Sequence, residues 1–180
     1  MAGNFFADRV KGNLWKTMDP SYAAGVLLHR RIDSFTDAHP IVREAKQRLD
    51  ASYGLFRGVL IDVFWDHFLA KDFARHTGGI DPADFTQKAH DILSSHALEF
   101  HPRAGQIVEA MIRGNWLLGY ASIEGIDTVL KQMGKRFPYT NPLARGSEAL
   151  IYAYEPLSRL FDEYWPEITS EFGIYRMHSA

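Results

Sequence analysis

The sequence predicts an all-α, single-domain helical bundle. Three observations carry that reading: apolar residues recur at helical spacing along nearly the whole chain, helix-start signals punctuate it, and no run shows sustained alternation. One domain is expected over residues 1–180, because a core of this size closes as a single unit and no repeat or low-complexity linker divides it. Composition agrees, since 46% hydrophobic against 23% charged residues is a globular balance that leaves no room for wholesale disorder.

Each element has its own signal. Asp19-Pro20-Ser21 offers an N-cap and a first-turn proline, and Tyr22, Val26 and Leu27 follow, so a helix is expected from Pro20 to about Phe35. A second begins near Pro40, capped by Asp37 or His39, and breaks at Tyr53-Gly54. The third is the most apolar: Leu60, Ile61, Val63, Phe64, Trp65 and Phe68 predict a central helix with little solvent contact. Asp81-Pro82 starts a fourth running toward Phe100, and His101-Pro102 separates it from a fifth that ends near Tyr120. Ser122 opens a sixth, stopped by Gly134 and Pro138; Asn141-Pro142 begins a long amphipathic segment through Phe161, and Trp165-Pro166 a final short helix.

Several function classes drop out. A net charge of −2 implies no general attraction to nucleic acid or anionic membrane. Absence of cysteine excludes thiolate zinc sites, iron–sulfur clusters and a cysteine nucleophile, and fits a reducing cytoplasm, the expected compartment. Charged residues interrupt every apolar run short of the roughly 20 needed to span a bilayer. Asp8 and Arg9 arrive too early for a secretory signal. Neither a Gly-x-Ser-x-Gly elbow nor a glycine-rich phosphate loop or dinucleotide fingerprint occurs. Charge is nonetheless uneven. Nine Lys/Arg face five acids between Arg9 and Arg57, an excess that fits either a solvated helix face or a docking surface for an acidic partner.

Three polar clusters sit in segments otherwise built for burial: Asn4 with Asp8, expected on one helical face; His29, Asp33 and Asp37, at spacings of four; and Asp62, Asp66 and His67. Ionised carboxylates at Asp62 and Asp66, amid Leu60 to Leu69, cost several kcal/mol each without compensation, so a partner is required. Arg30, Arg31 and Arg57 are candidates, and so is a metal ion. Spacing alone leaves an internal salt-bridge network and a metal centre both open, and the coincidence of three clusters favours the metal. The mixed nitrogen and oxygen donors suit Mn²⁺, Mg²⁺, Fe²⁺ or Zn²⁺.

Gly3-Asn4-Phe5-Phe6-Ala7-Asp8, Gly25 through Asp33 with Thr36-Asp37, and Asp62-Val63-Phe64-Trp65-Asp66-His67-Phe68-Leu69 together resemble the acyl carrier protein phosphodiesterase family. The likeness is close in order and spacing from Gly3 to about Phe73, and rests on helical pattern and length thereafter. It implies an HD-domain-like helical fold and Mn²⁺-dependent hydrolysis of the phosphodiester joining 4'-phosphopantetheine to the serine of holo-acyl carrier protein, a cytoplasmic reaction of lipid metabolism. Carried onto this chain, it places Asp8, His29, Asp33, Asp62, Asp66 and His67 at the motif's polar positions, with Asp8, His29, Asp62 and His67 the expected metal ligands and Asp33 or Asp66 the carboxylate expected to orient water in catalysis. Arg30 or Arg31 is then expected as a guanidinium clamp on the phosphoryl oxygens, Arg30 as part of the catalytic set and Arg31, Arg57 and Asn4 as substrate-binding groups.

Two departures stand beside the likeness. Family members carry a further N-terminal helix with an Asn-x-x-x-His-Leu-type motif, whereas this sequence starts at Met1-Ala2-Gly3; and Asp66-His67 reverses the His-Asp order of HD domains. The alternatives are a phosphohydrolase acting on a nucleotide or other small phosphodiester, and a non-catalytic helical binding module with an incomplete site.

Overall fold

A computed structural model describes residues 1–100 and 104–173. The chain forms α1 (Ala2–Phe5), α2 (Pro20–Ala38), α3 (Pro40–Gln47), α4 (Phe56–Lys71), α5 (Phe73–His76) and α6 (Pro82–Phe100). It continues through α7 (Ala104–Arg113), α8 (Trp116–Gly119), α9 (Ile123–Gly134), α10 (Gly146–Tyr152) and α11 (Tyr154–Phe172). No strand occurs among the described residues, as the periodicity predicted. None of the helices is long and apolar enough to cross a membrane.

Local chemistry sets the helix starts. Asp19 accepts a bond of 2.9 Å from the Ser21 amide, with Pro20 in the first turn, and so opens α2 where expected. Of the two caps offered to α3, His39 is the one used: its Nδ1 accepts from the Ile41 amide at 3.3 Å. Ser122 caps α9 through the Gly125 amide at 3.0 Å.

Four expectations need correction. Helix α2 runs on to Ala38, past the anticipated end near Phe35. The fifth expected helix divides at Gly114-Asn115, where Asn115 adopts φ +47° and a Cβ at position 114 would stand 2.4 Å from the Trp116 indole nitrogen. The segment after Asn141 resolves into a 3₁₀ turn (Pro142–Arg145), α10 and α11, and Pro166 lies inside α11 instead of starting a new helix. Proline there removes one backbone bond to the preceding turn, but burial of Leu157, Leu160, Phe161, Tyr164 and Ile168 along one face holds the helix together across it. Lastly, Asn4 and Asp8 do not share a helix face, because α1 ends at Phe5 and Asp8 belongs to a separate 3₁₀ turn, Ala7–Arg9. The expected break at His101-Pro102, and His178, lie outside the described residues.

The main core packs α4 against α9, α10 and α11, with Leu60, Ile61, Phe64, Leu130, Leu150, Leu157 and Phe161 fully or almost fully buried. Each such side chain contributes about 1.5–3 kcal/mol relative to leaving it in water. A second cluster holds Ala2 and Phe6 of the N-terminal segment against Leu93, Ala97, Val108 and Met111 of α6 and α7. Helix α1 also crosses α2 at unusually close range. A Cβ added to Gly3 would sit 2.3 Å from the Tyr22 carbonyl oxygen, and one added to Gly25 would sit 2.8 Å from the Asn4 amide nitrogen. The two backbones therefore touch, and this contact fixes where the Ala7–Arg9 turn meets α2.

Candidate functional site

Three helices and one turn enclose a cavity of about 610 Å³. From α2 it receives His29, Ile32, Asp33, Thr36 and Asp37; from α4, Asp62, Trp65, Asp66 and Leu69; from α11, Phe161, Tyr164, Trp165 and Ile168; and from the Ala7–Arg9 turn, Asp8. Each helix contributes by the i, i+3, i+4, i+7 rule that places such residues on one face. Acidic groups from three separated stretches of sequence thus meet in one space.

His29 is the hinge of this arrangement. Its Nε2 lies 3.3 Å from Asp8 Oδ1 and 3.2 Å from Asp33 Oδ2. A single ring nitrogen carries at most one hydrogen and cannot bond well to two carboxylates at once. One donor atom each from Asp8, His29 and Asp33 falls within 4.8 Å of the others, a grouping that a single cation would satisfy together.

The carboxylates deeper in the cavity are perturbed. Burial pushes Asp66 up to about 7, with the neighbouring Asp62 charge adding to it. Asp62 rises to about 6, again chiefly through burial, opposed by Lys46 and reinforced by Asp37 and Asp33. Asp33 is raised as well, mainly by burial, with His29 acting in the opposite sense. Asp62 and Asp66 are open to the cavity yet surrounded by protein atoms, so water reaches them through a confined space that solvates charge less well than bulk. Trp65, in the same wall, has its indole N–H buried with no acceptor among the described residues.

The arginines are elsewhere. Arg30, expected to clamp phosphoryl oxygens, donates instead to the carbonyls of Gly12 (2.9 Å) and Val10 (2.7 Å), tying down the loop that follows Asp8. Arg31 lies over the Phe172 ring, 5.5 Å from its centroid, and Arg57 donates to the Gly54 carbonyl at 3.2 Å; neither lines the cavity. A guanidinium network neutralising the acids is therefore not what this structure contains. Lys46 of α3 does reach the acids, with its Nζ 3.3 Å from Asp37 Oδ1.

His67, expected as a metal ligand, faces the opposite way. It is 1% exposed, its Nδ1 lies 2.8 Å from the Tyr120 carbonyl and its Nε2 3.1 Å from the Tyr154 hydroxyl, so both ring nitrogens are occupied by the core. The reason is helical: position 67 is one residue beyond Asp66 and so is rotated about 100° from it. Burial accordingly pulls the His67 pKa down. Asn4 lines a second, adjoining cavity.

Other cavity groups were not anticipated as site residues. Tyr164 and Trp165 come from α11, far off in sequence and with no polar spacing to mark them, and the Tyr164 hydroxyl lies 2.8 Å from that of Thr36. Asp37 and Lys46 did carry a signal: the first continues the four-residue rhythm of His29 and Asp33, and the second belongs to the basic stretch.

Comparison with known proteins now adds an independent line. The model of a family described as acyl carrier protein phosphodiesterase matches residues 1–168. A protein named acyl carrier protein phosphodiesterase from Yersinia pestis is 35% identical over 92% of this chain and 86% of its own length. Proteins of the same name from Yersinia enterocolitica and Photorhabdus laumondii are 33% and 31% identical, over 95% and 92% of this chain and 89% and 84% of theirs. No solved structure matches. With residues 1–168 covered and the polar motifs inside the matched region, the chain belongs to the acyl carrier protein phosphodiesterase family, hydrolases that act on phosphodiester bonds.

Proposed function

We propose that this protein hydrolyses the phosphodiester between 4'-phosphopantetheine and the serine of holo-acyl carrier protein, releasing the apo carrier, with a divalent cation held by Asp8, His29 and Asp33 and with the carboxylates of Asp62 and Asp66 beside it. The observation that carries the reading is the convergence of these five side chains on one cavity from which the arginines are turned away. Two carboxylates and one imidazole as ligands, with two further carboxylates alongside, favour a hard or borderline ion, and Mn²⁺ suits that set.

A cation bound there supplies stabilisation of charge on the phosphoryl oxygens and acidifies water. The protein's own groups do the rest. Asp66, whose carboxyl exchanges protons near neutral pH, accepts the proton of the attacking water, and Asp33 orients that water. Water adds to phosphorus, the bond from phosphorus to the serine oxygen breaks, and the serine oxygen leaves with the proton that Asp66 took from the water. Arg30 acts at one remove, holding the Val10–Gly12 loop so that Asp8 stays opposite His29.

Lys46 of α3, 3.3 Å from Asp37 Oδ1, brings positive charge to the cavity, and with the exposed Arg43 of the same helix it serves as a docking edge for the acidic carrier. The cysteine-free sequence fits the cytoplasm as the place of action.

The test is incubation with Mn²⁺ and purified holo carrier, followed by intact mass. The reading requires loss of the 4'-phosphopantetheine mass, abolished by chelator and in His29→Ala. Failure to release the group with any of Mn²⁺, Mg²⁺, Fe²⁺ or Zn²⁺ would refute it.

A further inference from the structure

A second cavity, of about 420 Å³, adjoins the acidic one and shares His29, Asp66 and Leu69 with it. Its character is different. Phe5, Ala70, Phe73, Phe85, Leu117 and Leu118 make its walls apolar, and its size lies in the range of cavities that enclose small organic ligands. The Asn4 amide and the Tyr120 hydroxyl also line it, and neither side chain makes a hydrogen bond among the described residues. A purely hydrocarbon ligand would strand those two groups away from water, whereas a charged one would be desolvated against phenyl and leucyl side chains. The ligand that matches is slender, uncharged and amide-bearing, and it extends from an anionic group lying at His29 and Asp66.

We propose that this cavity binds the pantetheine arm of the carrier's prosthetic group, with Asn4 and Tyr120 pairing with its amides and the apolar walls enclosing its methyl and methylene carbons. The proposal rests on the reading of the acidic cavity as the site of phosphodiester cleavage. It gives the enzyme a handle on the prosthetic arm that is independent of the carrier's surface. Binding energy from a part of the substrate remote from phosphorus would then align the phosphodiester with Asp66.

The experiment uses the full chain, free pantetheine as the probe and two cavity-filling variants, Ala70→Leu and Leu118→Phe. Saturation-transfer NMR should show pantetheine binding to the wild type, weakened about tenfold, or 1.4 kcal/mol, in each variant that keeps the wild-type melting temperature. KM for holo carrier should rise by a similar factor, with kcat falling less. Pantetheine that does not bind the wild type, or binds both variants equally well, overturns the proposal even if the carrier is cleaved. Preference for octanoate over pantetheine overturns it too, by making the cavity a fatty-chain site. If the wild type leaves the carrier intact yet binds pantetheine in a way that Ala70→Leu abolishes, the cleavage reading fails and the cavity assignment survives.

Discussion

Replacing Asp66 by Asn should stabilise the metal-free protein at alkaline pH. The folded state holds this carboxyl near 7 while the unfolded chain holds it near 3.8. Below pH 4 it is protonated in both states and imposes no penalty. As pH rises from 4 toward 7 the unfolded chain releases its proton and the folded chain retains it, so the folded state is progressively disfavoured, and the full penalty is reached above about 7. Roughly three pKa units at 1.36 kcal/mol each set an upper bound of about 4 kcal/mol; access of water through the cavity reduces this to about 2 kcal/mol. Urea unfolding in chelator at pH 5, 6, 7 and 8 reads the effect directly. Wild type should lose stability across that range relative to Asp66→Asn, and the variant should exceed wild type by about 2 kcal/mol at pH 8 while matching it near pH 4. The depressed pKa of His67 contributes a slope of opposite sign that is present in both proteins and cancels in the difference, whereas Asp62 repels Asp66, so the gain of the variant includes relief of that repulsion. A variant with the same pH slope as wild type, or one less stable at pH 8, would refute the account of Asp66 as a carboxyl pushed up by burial.

The other expectations are shorter. Mn²⁺ should reverse the wild-type slope, raising the melting temperature more at pH 8 than at pH 5 because ligands must be deprotonated to bind, and Asp33→Ala should remove most of that increment. His67→Ala should lower stability by about 2–4 kcal/mol through the loss of a buried ring and its two hydrogen bonds, yet leave metal content by elemental analysis unchanged; loss of metal would restore His67 as a ligand. Gly25→Ala should cost about 1–3 kcal/mol in urea and reduce carrier cleavage at saturating Mn²⁺ less than at limiting Mn²⁺, since it displaces α1 and with it Asp8. Arg43→Glu should weaken carrier binding and flatten its salt dependence, which titration from 50 to 300 mM NaCl would show.

Most of the architecture was legible because its determinants are local. Asp19-Pro20-Ser21, His39-Pro40 and Ser122 act within a turn of where they stand, and the apolar run of α4 announces its burial without reference to any neighbour. What local reasoning missed was decided at a distance. Pro166 reads as a helix start, yet the buried face of α11 carries the helix through it. Asn115 turns where the chain must let α8 leave α7, and nothing in its neighbours' periodicity requires that. The site divides along the same line. His29, Asp33 and Asp37 could be seen as a face because one helix holds them; that Asp62 and Asp66 look into the same space, and that His67 looks away, follows from how α4 is rolled against α2 and α11. The arginines misled for a related reason, since a guanidinium on a long side chain finds backbone carbonyls that sequence does not display.

The crossing of α1 and α2 has an evolutionary corollary. Walls of either cavity can be repainted by exchanging one side chain for another, but the gap between Asp8 and His29 is set where Gly3 and Gly25 bring bare main chain against main chain. No larger residue can be swapped in there and trimmed elsewhere to compensate. Variation among such enzymes is thus free to alter what they grip while this spacing stays out of its reach.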